Sequence, residues 1–151
     1  MTAAVALPEV DVHSTTVAGP PDVVWPALLA TVDRAFAGPG AVYARLVGCD
    51  PPAASGPRPL EEGSAIPGFA VTRAQPGREL ALEGRHLFSR YALTFRLEPR
   101  GAAETVLSAD SRAAFPGVHG RAYRLLVVGT GGHVVAVRRL LRSIRRRAEA
   151  G

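Results

Sequence analysis

RELALEGRHLFSRYALTFRLEPRGAAETVLSADSRAAF, residues 78–115, determines the architecture more than any other part of this sequence. Apolar and polar residues alternate along Arg78–Phe88, Tyr91–Glu98 and Thr105–Phe115, and such alternation is typical of strands with one buried face. Arg100-Gly101 indicates a turn between the last two of these strands. Because strands joined by short turns pair antiparallel, residues 78–115 predict the centre of an antiparallel sheet.

The segments on either side complete an α+β order. Before residue 78 we predict a strand at Val10–Thr16, a helix with one apolar face from Trp25 to Phe36, strands at Ala41–Gly48 and Phe69–Ala74, and an exposed loop at Pro51–Pro59. After Pro116-Gly117 a helical pattern continues to about Ala148. Helices confined to the ends of a run of strands are typical of α+β proteins. We therefore predict a single domain, residues 1–151 with a flexible N-terminus at 1–9, in which a curved antiparallel sheet wraps around a long C-terminal helix.

Three glycines interrupt the closing helical pattern. Gly129, Gly131 and Gly132 lie in its middle, and each costs about 1 kcal/mol relative to alanine in a helix. Either the helix kinks there, or a strand or ligand packs against bare backbone, or the helix breaks into two.

Composition excludes several classes of protein. Hydrophobic residues make up 47% of the 151 residues, too many for a disordered chain. The longest apolar stretch, Leu125–Val137, is shorter than the roughly twenty residues that span a bilayer. The first residues lack the basic and apolar regions of a signal peptide, so we expect a cytoplasmic protein. The single cysteine, Cys49, cannot form an internal disulfide, and we expect it to be a small buried side chain.

Three stretches resemble the SRPBCC superfamily, the START-like proteins that include START domains, plant pathogenesis-related allergens and aromatic polyketide cyclases. TVAGPPDVVW at Thr16–Trp25 is similar to the family's opening strand and helix start, and PGRELALEG at Pro76–Gly84 looks like its turn into the central strands. The third stretch is the closing helix after Phe115-Pro116-Gly117. The resemblance covers nearly the whole chain and implies a helix-grip fold around a cavity for a polyketide, lipid or steroid-like molecule. It assigns no catalytic residue, because these differ between branches of the family.

The inward faces of the predicted elements supply the candidate binding residues. At 100° per residue the closing helix presents an apolar stripe interrupted by histidine, tyrosine and threonine, as a helix lining a mixed cavity would. Alternation along the two central strands gives their inward side chains. In all, we predict these ligand-binding residues: Trp25, Leu82, His86, Phe88, Tyr91, Leu93, Phe95, Tyr123, Leu126, Thr130, His133 and Val137.

Four of these side chains are candidates for acid–base catalysis: His86, His133, Tyr123 and Tyr91. Imidazole titrates near neutral pH and a phenol can polarise a carbonyl, so such groups could promote the enolisation that cyclises or dehydrates a polyketone. A neutral histidine could equally anchor a ligand oxygen without catalysis. A polyketide cyclase or dehydratase and a non-catalytic carrier or sensor therefore both remain open.

Metal and nucleotide chemistry are not expected. His119 and His133 stand fourteen positions apart, about 21 Å along an unbroken helix, so they cannot share one ion unless the glycines break the helix sharply. GTGG at 129–132 lacks the lysine and hydroxyl residue that complete a phosphate-binding loop. We predict no metal and no cofactor.

Positive charge is concentrated near the end of the chain. All 18 basic residues are arginine, the net charge is +5, and six arginines lie between Arg138 and Arg147. A basic amphipathic helix can bind an anionic membrane or nucleic acid, which makes an interaction module a third hypothesis. We favour a solvated helix end whose cations oppose the helix dipole. Nucleic acid is the less expected partner, because aromatic residues are not interleaved with the arginines.

Overall fold

A computed structural model describes residues 7–38, 42, 46, 48–87, 89–127 and 131–151, with residues 126 and 127 described by their backbone alone. Within these residues the strands are β1 (Glu9–Ala18), β2 (Ala65–Ile66), β3 (Phe69–Gln75), β4 (Glu79–His86), β5 (Ser89–Arg100) and β6 (Glu104–Ala114). The helices are α1 (Pro21–Ala35), α2 (Gly117–Val127) and α3 (Gly132–Ala150).

All of these strands belong to one antiparallel sheet in the order β1-β6-β5-β4-β3-β2. The first strand therefore lies beside the last one. Register shifts occur in β1 between Glu9 and Asp11 and in β3 between Val71 and Arg73, and such bulges bend a sheet. The open, curved sheet closed by a C-terminal helix is an α+β architecture of the helix-grip type, which confirms the predicted fold class.

The core forms where α1 and α3 pack on the concave face of the sheet. Helix α1 begins after Pro20 with Pro21 in its first turn, a position where the missing N–H costs nothing. Its buried face meets that of α3, whose buried residues recur at helical spacing: Val137, Leu141, Ile144 and Ala148. Phe95 and Leu107 supply the sheet side of this core.

The closing helical pattern is two helices rather than one. Helix α2 has 11 residues and α3 has 19. Gly131 precedes α3 in the left-handed region, with φ 76°, a conformation that glycine adopts without a steric penalty. The helix that the sheet wraps is α3, and residues 128–130 lie outside the described part of the chain.

The predicted strand at Ala41–Gly48 falls mostly outside the described residues. Val42 and Leu46, which are described, are helical, so the strand prediction is wrong at these two positions. The structure has a strand before β3 that we did not predict, β2, whose two residues pair with the start of β3. The predicted loop at Pro51–Pro59 is mostly exposed and has one isolated bridge, from Ser55 to Ala65.

Among the described helices, none combines the length and the apolar character needed to cross a bilayer.

Candidate functional site

A cavity of about 450 Å³ lies between the sheet and the helices. Its wall is mostly apolar. Strands β4, β5 and β6 contribute one side, and α2, α3 and the end of α1 contribute the other. Small side chains such as Ala113 and Ala136 leave this space open where larger ones would close it.

Aromatic rings form a continuous wall along the cavity. Neighbouring ring centroids are 5.0 Å apart for Phe36 and Phe69, 5.0 Å for Phe69 and Tyr91, and 5.6 Å for Tyr91 and His86. The row continues over 4.6 Å from His86 to Tyr123 and 6.3 Å from Tyr123 to Phe115. All five of these contacts are edge-on or tilted, the geometry that ring quadrupoles favour. The row runs from Phe36, directly after α1, across β3, β5 and β4 to α2 and to Phe115, directly after β6.

Tyr91 is fixed by a glycine opposite it and by a backbone carbonyl. Gly84 pairs with Tyr91 across β4 and β5, and a Cβ at Gly84 would collide with the Gly68 oxygen and lie 2.7 Å from the Tyr91 ring. The Tyr91 hydroxyl donates a hydrogen bond of 2.6 Å to the Gly68 carbonyl, and the Cys49 Sγ lies 3.5 Å from that hydroxyl. The phenol proton is therefore directed to the backbone.

His86 stands at the end of β4, where the alternation of the strand turns it toward the cavity. Its Nε2 lies 3.0 Å from the Ser89 Oγ, within hydrogen-bond distance. Burial lowers the pKa of His86 below its ordinary value, because desolvation penalises the charged imidazolium. The ring is therefore neutral at neutral pH and can accept a proton.

Asp11 joins two histidines from different elements. Its Oδ1 lies 3.1 Å from the His133 Nε2, and its Oδ2 lies 3.2 Å from the His13 Nε2. All three side chains are only about one-fifth exposed. His133 lines the cavity, so this His–Asp–His arrangement ties β1 to the first turn of α3 at the cavity wall.

The structure brings six of the predicted binding residues into the cavity wall: His86, Tyr91, Leu93, Tyr123, His133 and Val137. Leu82 and Phe95 are fully buried in the core, and Trp25 packs partly buried against it. Phe88 and Thr130 lie outside the described residues, as does the side chain of Leu126. All four catalytic candidates line the cavity.

Sequence reasoning missed several residues of the site. Phe36, Phe69 and Phe115 complete the aromatic wall, although the sequence marks them only as apolar ends of elements. Ser111 is 4% exposed, lines the cavity, and its hydroxyl has no hydrogen-bond partner among the described residues. Strand alternation could have predicted that Ser111 faces the cavity, because Ser111 lies two residues after the inward-facing Ala109 on the same strand.

In the part of the chain that the structure describes, no group of three or more His, Cys, Asp or Glu side chains is arranged to hold a metal ion. The two histidines on Asp11 are bound to its carboxylate instead.

Comparison by sequence identifies no relative, because no protein-family model and no curated protein matches this chain. Comparison by structure finds many similar proteins. Mll3558 from Rhizobium loti is 19% identical, with a TM-score of 0.55 over 91% of this chain and 94% of that one. CV1439 from Chromobacterium violaceum is 13% identical, with a TM-score of 0.55 over 92% and 98%.

CalU16 from Micromonospora echinospora is 17% identical, with a TM-score of 0.50 over 96% of this chain and 92% of that one. Identities this low establish a shared fold and nothing about ligands. The fold places the chain in the class of α+β helix-grip proteins, with the cavity between sheet and helices as its candidate site.

Proposed function

We propose that the protein binds a hydrophobic small molecule, of polyketide, lipid or steroid-like type, in this cavity. The observation that carries the proposal is the volume of about 450 Å³ behind a continuous aromatic wall. Small-molecule sites are mostly apolar clefts of roughly 300–1,000 Å³ with a few placed polar groups. A fully packed interior would leave no such volume, because protein cores are as dense as organic crystals.

The few polar groups in the wall support a ligand that carries oxygen atoms. A buried hydroxyl without a partner costs about 1–3 kcal/mol. Ser111 belongs to the cavity wall and has such a buried hydroxyl, so a ligand hydroxyl or carbonyl that reached it would recover that cost. His86, neutral at neutral pH, is a second hydrogen-bonding group on the same surface.

Binding of Nile red, an uncharged apolar dye, tests the proposal. We expect one dye molecule per chain, with the enhanced fluorescence of an apolar environment, and its displacement by dodecanol. The same titration on urea-unfolded protein is the control. A folded protein that gives no more fluorescence than the unfolded chain would contradict the proposal.

A second candidate function, favoured by His86, is catalysis of polyketone cyclisation or dehydration. A neutral imidazole in an apolar wall is a base that could remove a proton from the carbon beside a ligand carbonyl, leaving an enolate and an imidazolium. Tyr123 is the phenol nearer to this base, because its ring centroid lies 4.6 Å from that of His86, against 5.6 Å for Tyr91, and it could polarise the carbonyl.

His86→Gln separates an enzyme from a carrier. With a synthetic linear poly-β-ketone as substrate, an enzyme should lose turnover by about a hundredfold or more, the usual contribution of a general base, while Nile red affinity changes little. A carrier should show affinity changes alone. His119→Gln, at an exposed site on α2, is the matched control. Wild-type protein that does not accelerate the reaction over buffer would eliminate catalysis and leave the carrier.

A further inference from the structure

A second concave surface, which we call the arginine groove, runs between the second half of α1 and α3. Four arginines line it: Arg34 from α1, and Arg139, Arg146 and Arg147 from α3. The three from α3 recur at intervals that fall on one helix face, and the contact between the two helices brings Arg34 opposite them. The groove is thus built by the helix packing of the fold.

The charge of the arginine groove is not neutralised by neighbouring side chains. Its described lining contains no Asp or Glu. None of its four arginines makes an ion pair with a residue that the structure describes, whereas Arg58 pairs with Asp33 and Arg145 with Glu149 close by. A concave surface lined by one sign of charge concentrates ions of the opposite sign.

A buried polar group also faces the arginine groove. Thr31 is 8% exposed, lies in the groove wall, and its Oγ1 has no hydrogen-bond partner among the described residues. The described protein therefore leaves a buried hydroxyl unsatisfied in the groove wall, and a ligand oxygen that reached it would supply the missing partner.

The arginine groove meets the ligand cavity. Three residues, Ala35, Ala136 and Leu140, line both. The alanines are exposed and small, so Leu140, which is half-buried, is the main side chain between the two spaces. An elongated ligand could therefore place one part in the apolar cavity and another among the arginines.

We propose that the ligand is an amphipathic anion whose apolar body lies in the cavity and whose carboxylate or phosphate lies in the arginine groove. This inference rests on the proposed function and specifies its ligand class. Arginine suits the role, because its planar fork pairs with both oxyanions through two parallel hydrogen bonds. The groove and the cavity adjoin each other, which favours this ligand over a membrane surface, because a membrane would use the outward-facing arginines of α3 equally.

The test compares two compounds of equal chain length, dodecanoate and dodecanol, by displacement of Nile red at low salt. We expect wild-type protein to prefer dodecanoate by roughly fivefold, since exposed ion pairs contribute modestly. In Arg139→Ala/Arg146→Ala the preference should vanish while dodecanol affinity stays the same. Arg138→Ala/Arg142→Ala removes the same charge from the same helix outside the groove and should keep the preference.

Several results would overturn the inference, each in a recognisable way. An unchanged preference in the groove variant would show that these arginines do not hold the head group. Equal competition by acetate or inorganic phosphate would make the groove a site for free small anions. Binding to phosphatidylglycerol vesicles that both double variants lose equally, without a change in dodecanoate preference, would assign the arginines to a membrane. If neither compound displaces the dye, the inference fails; if Nile red itself does not bind, the proposed function fails with it.

Discussion

Asp11 makes contacts that the local sequence pattern could not predict. The alternation of β1 identifies its two faces, and the valine face would ordinarily be the buried one. In the structure Val12 is 51% exposed, and Asp11 lies on the same face as the fully buried Val17, where His13 and His133 bind its carboxylate. Asp11 and His133 are 122 residues apart in the sequence, so only the packing of α3 against β1 brings them together.

Other single residues were predictable because their placement is local. His86 and Tyr91 were assigned to the inward face from strand alternation alone, and both line the cavity. Tyr123 and His133 follow from helical spacing in the same way, even though the helix breaks between them. The bond from Tyr91 to Gly68 could not be predicted, because it depends on the distance between two separate segments.

The Asp11–His133 contact can be measured by a double-mutant cycle. We expect Asp11→Ala and His133→Ala to couple by about 1 kcal/mol in the free energy of unfolding, the order found for partly buried contacting pairs. Urea denaturation of the wild type, both single variants and the double variant supplies the four values. Glu9→Ala, an exposed acid on the same strand, should show no coupling with His133→Ala. Full additivity of Asp11→Ala and His133→Ala would mean that the pair contributes nothing to stability.

Among whole elements, those with strong periodicity were predicted and those without it were not. The strands from β3 to β6 and the helix α1 lie within a few residues of their predicted bounds, because alternation and proline punctuation are local signals. The glycines at 129–132 predicted that the closing helix is destabilised there, but not whether it would kink or break. The structure shows a left-handed Gly131 and a new helix after it. The two residues of β2 are too few to produce a pattern.

For the molecule as a whole, the sequence specified the architecture better than the site. A sheet with one apolar face needs a helical cover, and the order of elements supplies it, so the α+β helix-grip fold could be predicted. The volume of the cavity could not, because it is the difference between two packed surfaces and depends on small residues such as Ala113 and Ala136 facing it. The arginine groove likewise exists only once α1 lies against α3.

Nile red affinity of Ala113→Phe, compared with Ala114→Phe, tests most directly whether the cavity is the binding site. Ala113 lines the cavity from β6, whereas Ala114 is the next residue of the strand and points to the opposite side. A phenyl ring at 113 should occupy the binding volume and weaken dye affinity by about tenfold or more, a loss of at least 1.4 kcal/mol. Ala114→Phe should bind as the wild type does, with both variants shown to be folded by circular dichroism. Undiminished binding by folded Ala113→Phe, or an equal loss in both variants, would contradict a ligand site in this cavity.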